Sequence, residues 1–261
     1  RAARRAQPQP DVALSPASAV SERDQLFARP LAEIAGFRFD HQVVAVFPDM
    51  IRRSVPGYET MVAMTGTIAE RYALPGTQCY DLGCSLGAST LALRRGIGAR
   101  DCAIIAADNA PAMIERCRAV IAADSAPAPV ELRLGDVRDI HFTNASVVVL
   151  NFTLQFIPPA DRGPLIAAIA AGLVPGGVLV LSEKIAFADP GLDALMTDLH
   201  HAFKRANGYS ELEVSQKRTA LENVLVPETL DAHRARLRDA GFGAVDVWFQ
   251  CFNFASLLAF R

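Results

Sequence analysis

The residues best suited to chemistry begin in a short loop where an acid precedes two glycines. Asp81, Gly83 and Gly87 are spaced D-x-G-x-x-x-G, directly after the apolar segment Gln78 to Leu82 and before a helical segment. Glycines here let the backbone turn sharply and approach a ligand, and the N-terminus of the following helix favours negative charge. Ser85 stands where a dinucleotide fingerprint has its middle glycine, which argues against that ligand. The acid is instead typical of S-adenosylmethionine sites, where it orders the loop near the amino-acid end of the ligand.

The same loop fits a second class of enzyme. Gly83, Ser85 and Gly87 also spell G-x-S-x-G, the nucleophile elbow of α/β-hydrolases, and the strand–turn–helix context suits both interpretations. Three features argue against a hydrolase. No earlier strand and loop could supply the second oxyanion donor, Asp81 has no role in such an elbow, and the late histidine, His233, lies in a charged helical segment. The hydrolase is therefore the weaker alternative.

Polar residues follow three more apolar segments at the same relative position. Asp108 and Asn109 follow the second, where a carboxylate can accept both ribose hydroxyls; the alternative for Asp108 is a helix N-cap. Asp136 and Val137 follow the third, where an acid and a backbone amide can hold an adenine edge or form a simple turn. Asn151 ends the fourth and places a neutral amide toward a methyl-sulfonium group. Because ligands bind at the carboxyl ends of such strands, we expect these residues to share one cleft.

Short apolar segments alternate with helical ones over most of the chain. The predicted strands span residues 78–82, 102–107, 130–134, 146–151, 178–182, 245–251 and 256–260, and the predicted helices 60–73, 88–95, 111–122 and 160–173. This alternation predicts a parallel sheet with helices on both faces. Residues 252–255 are too few for a crossover helix, so one of the last two strands must run antiparallel. The fold class is therefore α/β: a Rossmann-like class I methyltransferase fold with seven mostly parallel strands and a C-terminal antiparallel hairpin.

The remaining segments set the domain organisation. We expect a single S-adenosylmethionine-binding domain over residues 21–261, with an N-terminal helical segment at 21–74 and a helical insertion at 185–240. Segments of this kind usually carry substrate recognition. Residues 1–20 are basic and proline-rich and predict a disordered tail.

Composition excludes several other classes of protein. The chain has 261 residues, of which 51% are hydrophobic, as in a globular protein with a sizeable core. A net charge of −2 gives no overall indication of binding to nucleic acid or to an anionic membrane, although that sum leaves a local basic patch open, and we expect no direct contact with either. The most apolar stretch, Leu165 to Leu181, is interrupted by a Pro-Gly-Gly turn, so no membrane span is predicted.

Cysteine and histidine usage argue against disulfides and metals. The five cysteines are scattered and never form C-x-x-C, which predicts reduced thiols in a cytoplasmic protein. His200 and His201 lack a third ligand at metal spacing and are interpreted as ordinary helix residues, so no metal is expected.

Five longer segments resemble one enzyme family. They are VFPDMIRRSVPGY (46–58), YDLGCSLGAST (80–90), VVVLNFTLQF (147–156), FKRANGYSELEVSQKR (203–218) and WFQCFNF (248–254). Together they look like the carboxy-S-adenosylmethionine synthases, from about residue 22 to the end. The resemblance implies conversion of S-adenosyl-L-methionine and prephenate to carboxy-S-adenosyl-L-methionine and phenylpyruvate. It also implies a homodimer and a functional link to a tRNA carboxymethyltransferase that modifies wobble uridine.

The same resemblance implies roles for individual residues. The ligand-lining positions carried over from the family are Tyr58, Gly83, Cys84, Ser85, Asp108, Asn109, Asp136, Val137, Asn151 and Arg218. Arg218 and Tyr58 are the expected catalytic pair, since a guanidinium can grip the carboxylate of the product bidentately. By itself Arg218 also fits a solvated helix face with Glu211, Glu213, Lys217 and Glu222. A methyltransferase acting on a small molecule or tRNA, and a non-catalytic binding module, remain alternatives.

Overall fold

The computed structural model describes residues 22–222 and 224–261, so the predicted tail over residues 1–20 lies outside the described residues. The helices are α1 His41–Ser54, α2 Tyr58–Tyr72, α3 Ala88–Ile97, α4 Pro111–Ala122, α5 Pro159–Gly172, α6 Pro190–Ala206, α7 Glu211–Leu221 and α8 Leu230–Asp239. The strands are β1 Thr77–Leu82, β2 Cys102–Asp108, β3 Val130–Leu134, β4 Ala145–Asn151, β5 Leu173–Ala186, β6 Glu228–Thr229, β7 Ala244–Cys251 and β8 Phe254–Phe260. Single 3₁₀ turns cover Val137–Asp139 and Leu154–Phe156.

One sheet organises the chain in the order β3-β2-β1-β4-β5-β8-β7. The first five strands of this order are parallel, and β8 runs antiparallel to both β5 and β7. The α/β class I methyltransferase fold is thus confirmed, with its C-terminal antiparallel hairpin. From β1 the chain adds β2 and β3 on one side of the sheet and then crosses to add β4 and β5 on the other side. The crevice between β1 and β4 is therefore the switch point at which ligands bind in such folds.

Alternate residues of the central strands pack on opposite faces of the sheet. Val147 and Val149 of β4 join a core cluster with α2, α3 and α4, whereas Val148 and Leu150 join another with α5 and α8. All four side chains are wholly buried. A strand buried on both faces has an unbroken apolar sequence, and this explains why β4 carries no polar residue between Ser146 and Asn151.

The structure departs from the predicted elements in three places. The Pro-Gly-Gly predicted as a turn lies inside β5, which starts at Leu173; the extra residues shift the register of β4 and β5, with Gly176 at a φ of 79°. Strand β6 was too short to leave a pattern, and it pairs with the end of β5. Helix α1 is not among the predicted helices because Pro48 lies within it. Asp40 caps α1 by accepting hydrogen bonds from Gln42 N and Val43 N.

The N-terminal segment and the insertion pack on each other above the sheet. Gln216 of α7 donates to the carbonyls of Phe27 and Arg29, each at 2.9 Å, and the N–H of Phe37 donates to Ala220 O at 3.0 Å. These hydrogen bonds join two segments that are distant in sequence into one layer, which covers the carboxyl ends of the strands. Within the described residues, no helix has both the length and the hydrophobicity to cross a membrane.

Candidate active site

A cleft of about 1270 Å³ lies between the carboxyl ends of the strands and the layer formed by α1, α6 and α7. Ten residues predicted to bind ligand all line it: Tyr58, Gly83, Cys84, Ser85, Asp108, Asn109, Asp136, Val137, Asn151 and Arg218. Their positions in the sequence run from 58 to 218, so it is the fold that brings them together. Their individual roles toward a ligand stay predictions.

The glycine loop is fixed from two sides. A Cβ at Gly83, whose φ is 80°, would overlap the side chain of Thr153, so this position requires glycine. The N–H groups of Gly83 and Cys84 donate to Ala107 O at 2.8 and 2.9 Å. Asp81 lies behind the loop without lining the cleft and accepts a hydrogen bond of 2.5 Å from Thr90 Oγ1. Burial, with a smaller contribution from the charge of Asp108, raises the pKa of Asp81 to about 7.

Asp108 links the second strand to this loop. Its Oδ2 accepts from Ser85 N and its Oδ1 from Ala110 N, both at 2.9 Å. Each oxygen keeps a further lone pair, as acceptance of two ribose hydroxyls requires. The N-cap of α4 is Ala110, so the alternative of Asp108 as that N-cap was wrong. Asn109 is exposed at the mouth of the cleft.

Asp136 forms the predicted turn and also lines the cleft. Its Oδ1 accepts from Arg138 N at 2.9 Å, and its Oδ2 pairs with the Arg138 guanidinium at 2.7 Å. The hydrogen bond from Arg138 holds the pKa of Asp136 below its usual value, so this carboxylate stays charged. Val137 beside it is buried and contributes an apolar wall. The two interpretations offered for this segment are therefore compatible.

The side-chain amide of Asn151 is held in one orientation. Its Nδ2 donates to Ser89 Oγ at 2.9 Å, and its Oδ1 accepts from Ser182 Oγ at 2.6 Å. The following turn is fixed by Glu183, a buried carboxylate that accepts from Leu154 N and Gln155 N, each at 2.9 Å. Asn151 therefore presents a neutral, immobilised group to the centre of the cleft.

Tyr58 begins α2 directly after a tight turn. Gly57 has a φ of 76°, and a Cβ there would overlap the ring of Phe249. The Tyr58 ring lies 6.2 Å from that of Phe152, which lies 6.1 Å from Phe254. Burial, followed by the charge of Asp81, raises the pKa of the Tyr58 phenol, which therefore remains protonated at neutral pH. The result is an aromatic wall that carries one neutral hydroxyl.

Sequence reasoning missed the basic end of the cleft. The chain contains three lysines and all of them, Lys184, Lys204 and Lys217, line the cleft. Lys217 pairs with Asp24 at 3.5 Å and donates to Ser54 Oγ at 3.1 Å. The sequence offered only a weak signal, namely that all three lysines among the 26 basic residues fall between positions 184 and 217.

The interpretation of α7 as a solvated helix face was wrong for two of its members. Glu213 is buried and forms a capping box with Ser210, and Lys217 is buried against Asp24. Arg218, by contrast, is exposed toward the cleft. Among the described residues no carboxylate forms an ion pair with it.

The two adjacent histidines also lie at this end of the cleft, so describing them as ordinary helix residues was incomplete. His200 is buried with its Nε2 2.8 Å from Ser54 O, and burial followed by the charge of Lys204 lowers its pKa to about 3. His201 is partly buried beside it and also lines the cleft. No cluster of three or more potential metal ligands occurs in the described part of the chain.

Carboxylates and a lysine lie at different ends of the row of strands, with Asp136 already paired with Arg138. Asp136 follows β3 and Asp108 ends β2, whereas Lys184 lies near the end of β5. One end therefore suits hydroxyl and amino groups of a nucleoside, and the other suits an anion. His233 is buried in α8 and does not line this cleft with Ser85, so the hydrolase alternative lacks its histidine.

Comparison with known proteins identifies close relatives. A family model described as a methyltransferase domain matches residues 80–177. A carboxy-S-adenosyl-L-methionine synthase from Trichlorobacter lovleyi is 61% identical over 239 residues, which cover 91% of this chain and 98% of that protein. A protein of the same name from Salmonella paratyphi A is 58% identical over 242 residues, covering 93% of this chain and 98% of the relative.

Solved structures share the fold at low sequence identity. An O-methyltransferase family protein from Burkholderia thailandensis matches with a TM-score of 0.59 at 21% identity, over 85% of this chain and 60% of that one. Magnesium protoporphyrin IX methyltransferase from Synechocystis, solved with bound SAH, matches with a TM-score of 0.55 at 16% identity, over 81% of this chain and 87% of that one. These likenesses support the fold and nothing finer.

Proposed function

The chain belongs to the carboxy-S-adenosyl-L-methionine synthases, and from that premise we propose that it converts S-adenosyl-L-methionine and prephenate to carboxy-S-adenosyl-L-methionine and phenylpyruvate. The product would supply the carboxymethyl group with which a partner enzyme modifies wobble uridine in tRNA. The observation that carries the proposal is Arg218, a cation with no ion-pair partner among the described residues, in the same cleft as the loop typical of S-adenosylmethionine sites.

The proposed reaction balances without a further reactant. Prephenate releases carbon dioxide and hydroxide as its ring becomes aromatic and phenylpyruvate forms. S-adenosyl-L-methionine supplies a methyl group whose protons are acidified by the sulfonium. Loss of one such proton, which combines with hydroxide to give water, leaves a carbon nucleophile. That carbon forms a bond to carbon dioxide and becomes the carboxymethyl group of the product.

The residues on the nucleoside side fit S-adenosyl-L-methionine. Asp108 has lone pairs free for a ribose, and Asp136 with Val137 offers an acid and an apolar surface for an adenine. The Gly83 backbone passes against Thr153 with no room for a side chain, and this fixes the loop that the amino-acid end would meet. The protein's part in catalysis is positioning, exclusion of water and electrostatic stabilisation.

Arg218 and Tyr58 favour a carboxylating enzyme over a methyltransferase. A carboxylate that forms in the cleft gains a charge-assisted, bidentate partner in Arg218. Tyr58 supplies a neutral hydroxyl in an aromatic wall, which donates a hydrogen bond without adding charge. A methyltransferase needs no fixed cation beside the group it transfers, so these residues favour the carboxylating function.

Turnover with each substrate separately and together tests the proposal. The purified chain is incubated with S-adenosyl-L-methionine, with and without prephenate, and small molecules are identified by mass spectrometry. We expect a product heavier than S-adenosyl-L-methionine by one carbon dioxide, together with phenylpyruvate, only when both substrates are present. Formation of S-adenosylhomocysteine with a methylated acceptor would support a methyltransferase instead, and binding without any turnover would support a non-catalytic module.

We also propose that the chain works as a homodimer in the cytoplasm. Leu192, Leu195 and Leu199 lie on one face of α6 and are 38%, 52% and 37% exposed, which suits contact with a second copy. All five cysteines are free, as expected in a reducing compartment. Prephenate is the small-molecule partner, and the link to the tRNA enzyme is through the product, with no direct contact to nucleic acid.

A further inference from the structure

Two lysines at the basic end of the cleft lack an ion-pair partner within the described residues. Lys204 is 6% exposed, and Lys184 is half-buried near the end of β5. Among the described residues neither forms an ion pair, whereas the third lysine, Lys217, pairs with Asp24. An ammonium group taken out of water without a partner costs several kcal/mol, on the order of the penalty for a buried ion. Such groups are therefore expected where a ligand supplies the missing charge.

Lys204 is surrounded mainly by other positive charges, which makes its own ammonium charge less favourable. Its pKa is lowered to about 7, chiefly by burial and then by the charges of Lys217 and Lys184. The charge of Asp24 opposes this shift and is the weakest of these effects. Burial also lowers the pKa of Lys184, the charge of Asp193 opposes this, and the charge of Arg218 adds to it. His200, which lies between α6 and α1 with its Nε2 bonded to Ser54 O, adds no negative charge.

We propose that Lys184 and Lys204 form a binding subsite for the 2-oxo-acid carboxylate of the co-substrate, which is the carboxylate that remains in phenylpyruvate. This inference rests on the proposed function and assigns only the carboxylate of prephenate that persists in phenylpyruvate to a pair of fixed cations. The carboxylate that leaves as carbon dioxide must lie beside the methyl group of S-adenosyl-L-methionine. The carboxylate that persists then meets the lysine subsite.

The energetics of decarboxylation favour this assignment. Two ammonium groups bound to the departing carboxylate would stabilise a charge that disappears in the transition state and would slow the reaction. Bound to the persistent carboxylate, they hold substrate and transition state equally and provide affinity and orientation. The lysine subsite therefore contributes to substrate specificity by favouring a 2-oxo acid.

Binding of phenylpyruvate, measured without turnover, tests the lysine subsite directly. Calorimetry measures its Kd on the full chain saturated with S-adenosylhomocysteine, for the wild type, Lys184→Gln, Lys204→Gln and the control Arg205→Gln. Arg205 follows Lys204 on α6 but points to the surface, where it pairs with the exposed Glu211 at 3.4 Å. We expect Kd to rise about tenfold or more in each lysine variant, as loss of a charged hydrogen bond predicts, and to stay within about twofold in the control.

Two further readouts distinguish this role from a structural one. The KM for prephenate should rise about tenfold in the lysine variants while kcat changes by less than about threefold, since uniform binding is lost. Their melting temperature should hold or rise, because each variant removes an uncompensated buried charge.

Three results would overturn the subsite: no phenylpyruvate binding to the wild type, an unchanged Kd in both lysine variants, or loss of kcat with KM unchanged. A wild-type chain that makes no carboxy-S-adenosyl-L-methionine would instead contradict the proposed function, and the binding experiment does not depend on that assay.

Discussion

Lys217 and Arg218 are adjacent on α7 but have different surroundings, and the difference decides what each can do. Lys217 is buried, pairs with Asp24 and donates to Ser54. Tyr209 also donates to Asp24 Oδ2 at 2.5 Å, so the Lys217 ammonium belongs to a satisfied internal network. Arg218 faces the cleft with its donors available for an incoming carboxylate.

Removing the Arg218 guanidinium should affect one ligand and spare another. For Arg218→Ala we expect the Kd for carboxy-S-adenosyl-L-methionine to rise about tenfold to hundredfold, since hydrogen bonds to charged groups contribute about 1.5 to 3 kcal/mol. The Kd for S-adenosyl-L-methionine should stay within about threefold. Calorimetry with both ligands measures the ratio. Arg205→Ala is the matched control, and equal weakening of both ligands in Arg218→Ala would contradict the assigned role.

Lys204 predicts a pH dependence of anion binding. Its pKa is lowered to about 7 by burial and then by the charges of Lys217 and Lys184, with Asp24 opposing. Below pH 7 the ammonium is already charged; above it, binding an anion must take up a proton. Phenylpyruvate affinity should therefore fall as pH rises from 7 to 8, by at most about tenfold per unit for one linked proton.

Calorimetry in buffers of different ionisation enthalpy measures that proton uptake. Lys204→Gln removes the titrating group, so its affinity should vary less between pH 7 and 8. Identical pH profiles for the wild type and this variant would show that another group titrates.

At the scale of elements, one buried ion-pair network attaches the end of the insertion to α5. Arg162 is 0% exposed and pairs with Glu228 of β6 at 2.5 Å, and Arg236 of α8 pairs with the same carboxylate at 2.6 Å. Arg162 also donates to Val226 O at 2.9 Å. Because β6 has two residues, these bonds fix its position beside β5.

Loss of the shared carboxylate should be costly. Glu228→Ala leaves the Arg162 guanidinium buried without its counter-ion, and we expect the free energy of unfolding to fall by about 3 to 5 kcal/mol. Urea unfolding measures the change. The control is Asp231→Ala, which removes a largely exposed pair with Arg234 and should cost less than about 1 kcal/mol. Similar effects of the two variants would refute the buried network.

How much the sequence could predict differs between kinds of element. The central strands and the polar residues at their ends were predictable, because β4 has an unbroken apolar run and Asp108 and Asn151 follow their strands directly. Helix α1 was not, since Pro48 argues against a helix that tertiary packing nevertheless stabilises. The lysine subsite required the fold, because Lys184 lies on β5 and Lys204 on α6, and only the packing of these elements brings both side chains into one cleft.

At the scale of the whole molecule, three segments that are distant in sequence complete one cleft. The carboxyl ends of the strands supply the side that suits a nucleoside, while the N-terminal segment and the insertion supply most of the basic side. The outer face of α6 carries the exposed leucines, so the helix that contributes Lys204 to the cleft also carries the proposed dimer contact. A partner copy on that face would hold α6 in place.

A charge on the outer face of α6 should therefore change the mass of the assembly. For Leu195→Glu we expect sedimentation at the monomer mass at concentrations where the wild type is a dimer, because a carboxylate cannot be buried there without a partner. Leu74→Glu is the control, since Leu74 is 43% exposed at a different site. A wild-type monomer, or a Leu195→Glu dimer of undiminished stability, would contradict the proposal.

The origin of the transferred carbon distinguishes carboxylation by prephenate from methyl transfer. Prephenate carrying a heavy carbon isotope in its ring carboxylate is incubated with the chain and unlabelled S-adenosyl-L-methionine, and the product is fragmented in a mass spectrometer. We expect the label in the new carboxyl group on the former methyl carbon, and we expect phenylpyruvate to be unlabelled. A product without label, or S-adenosylhomocysteine with a methylated acceptor, would contradict it.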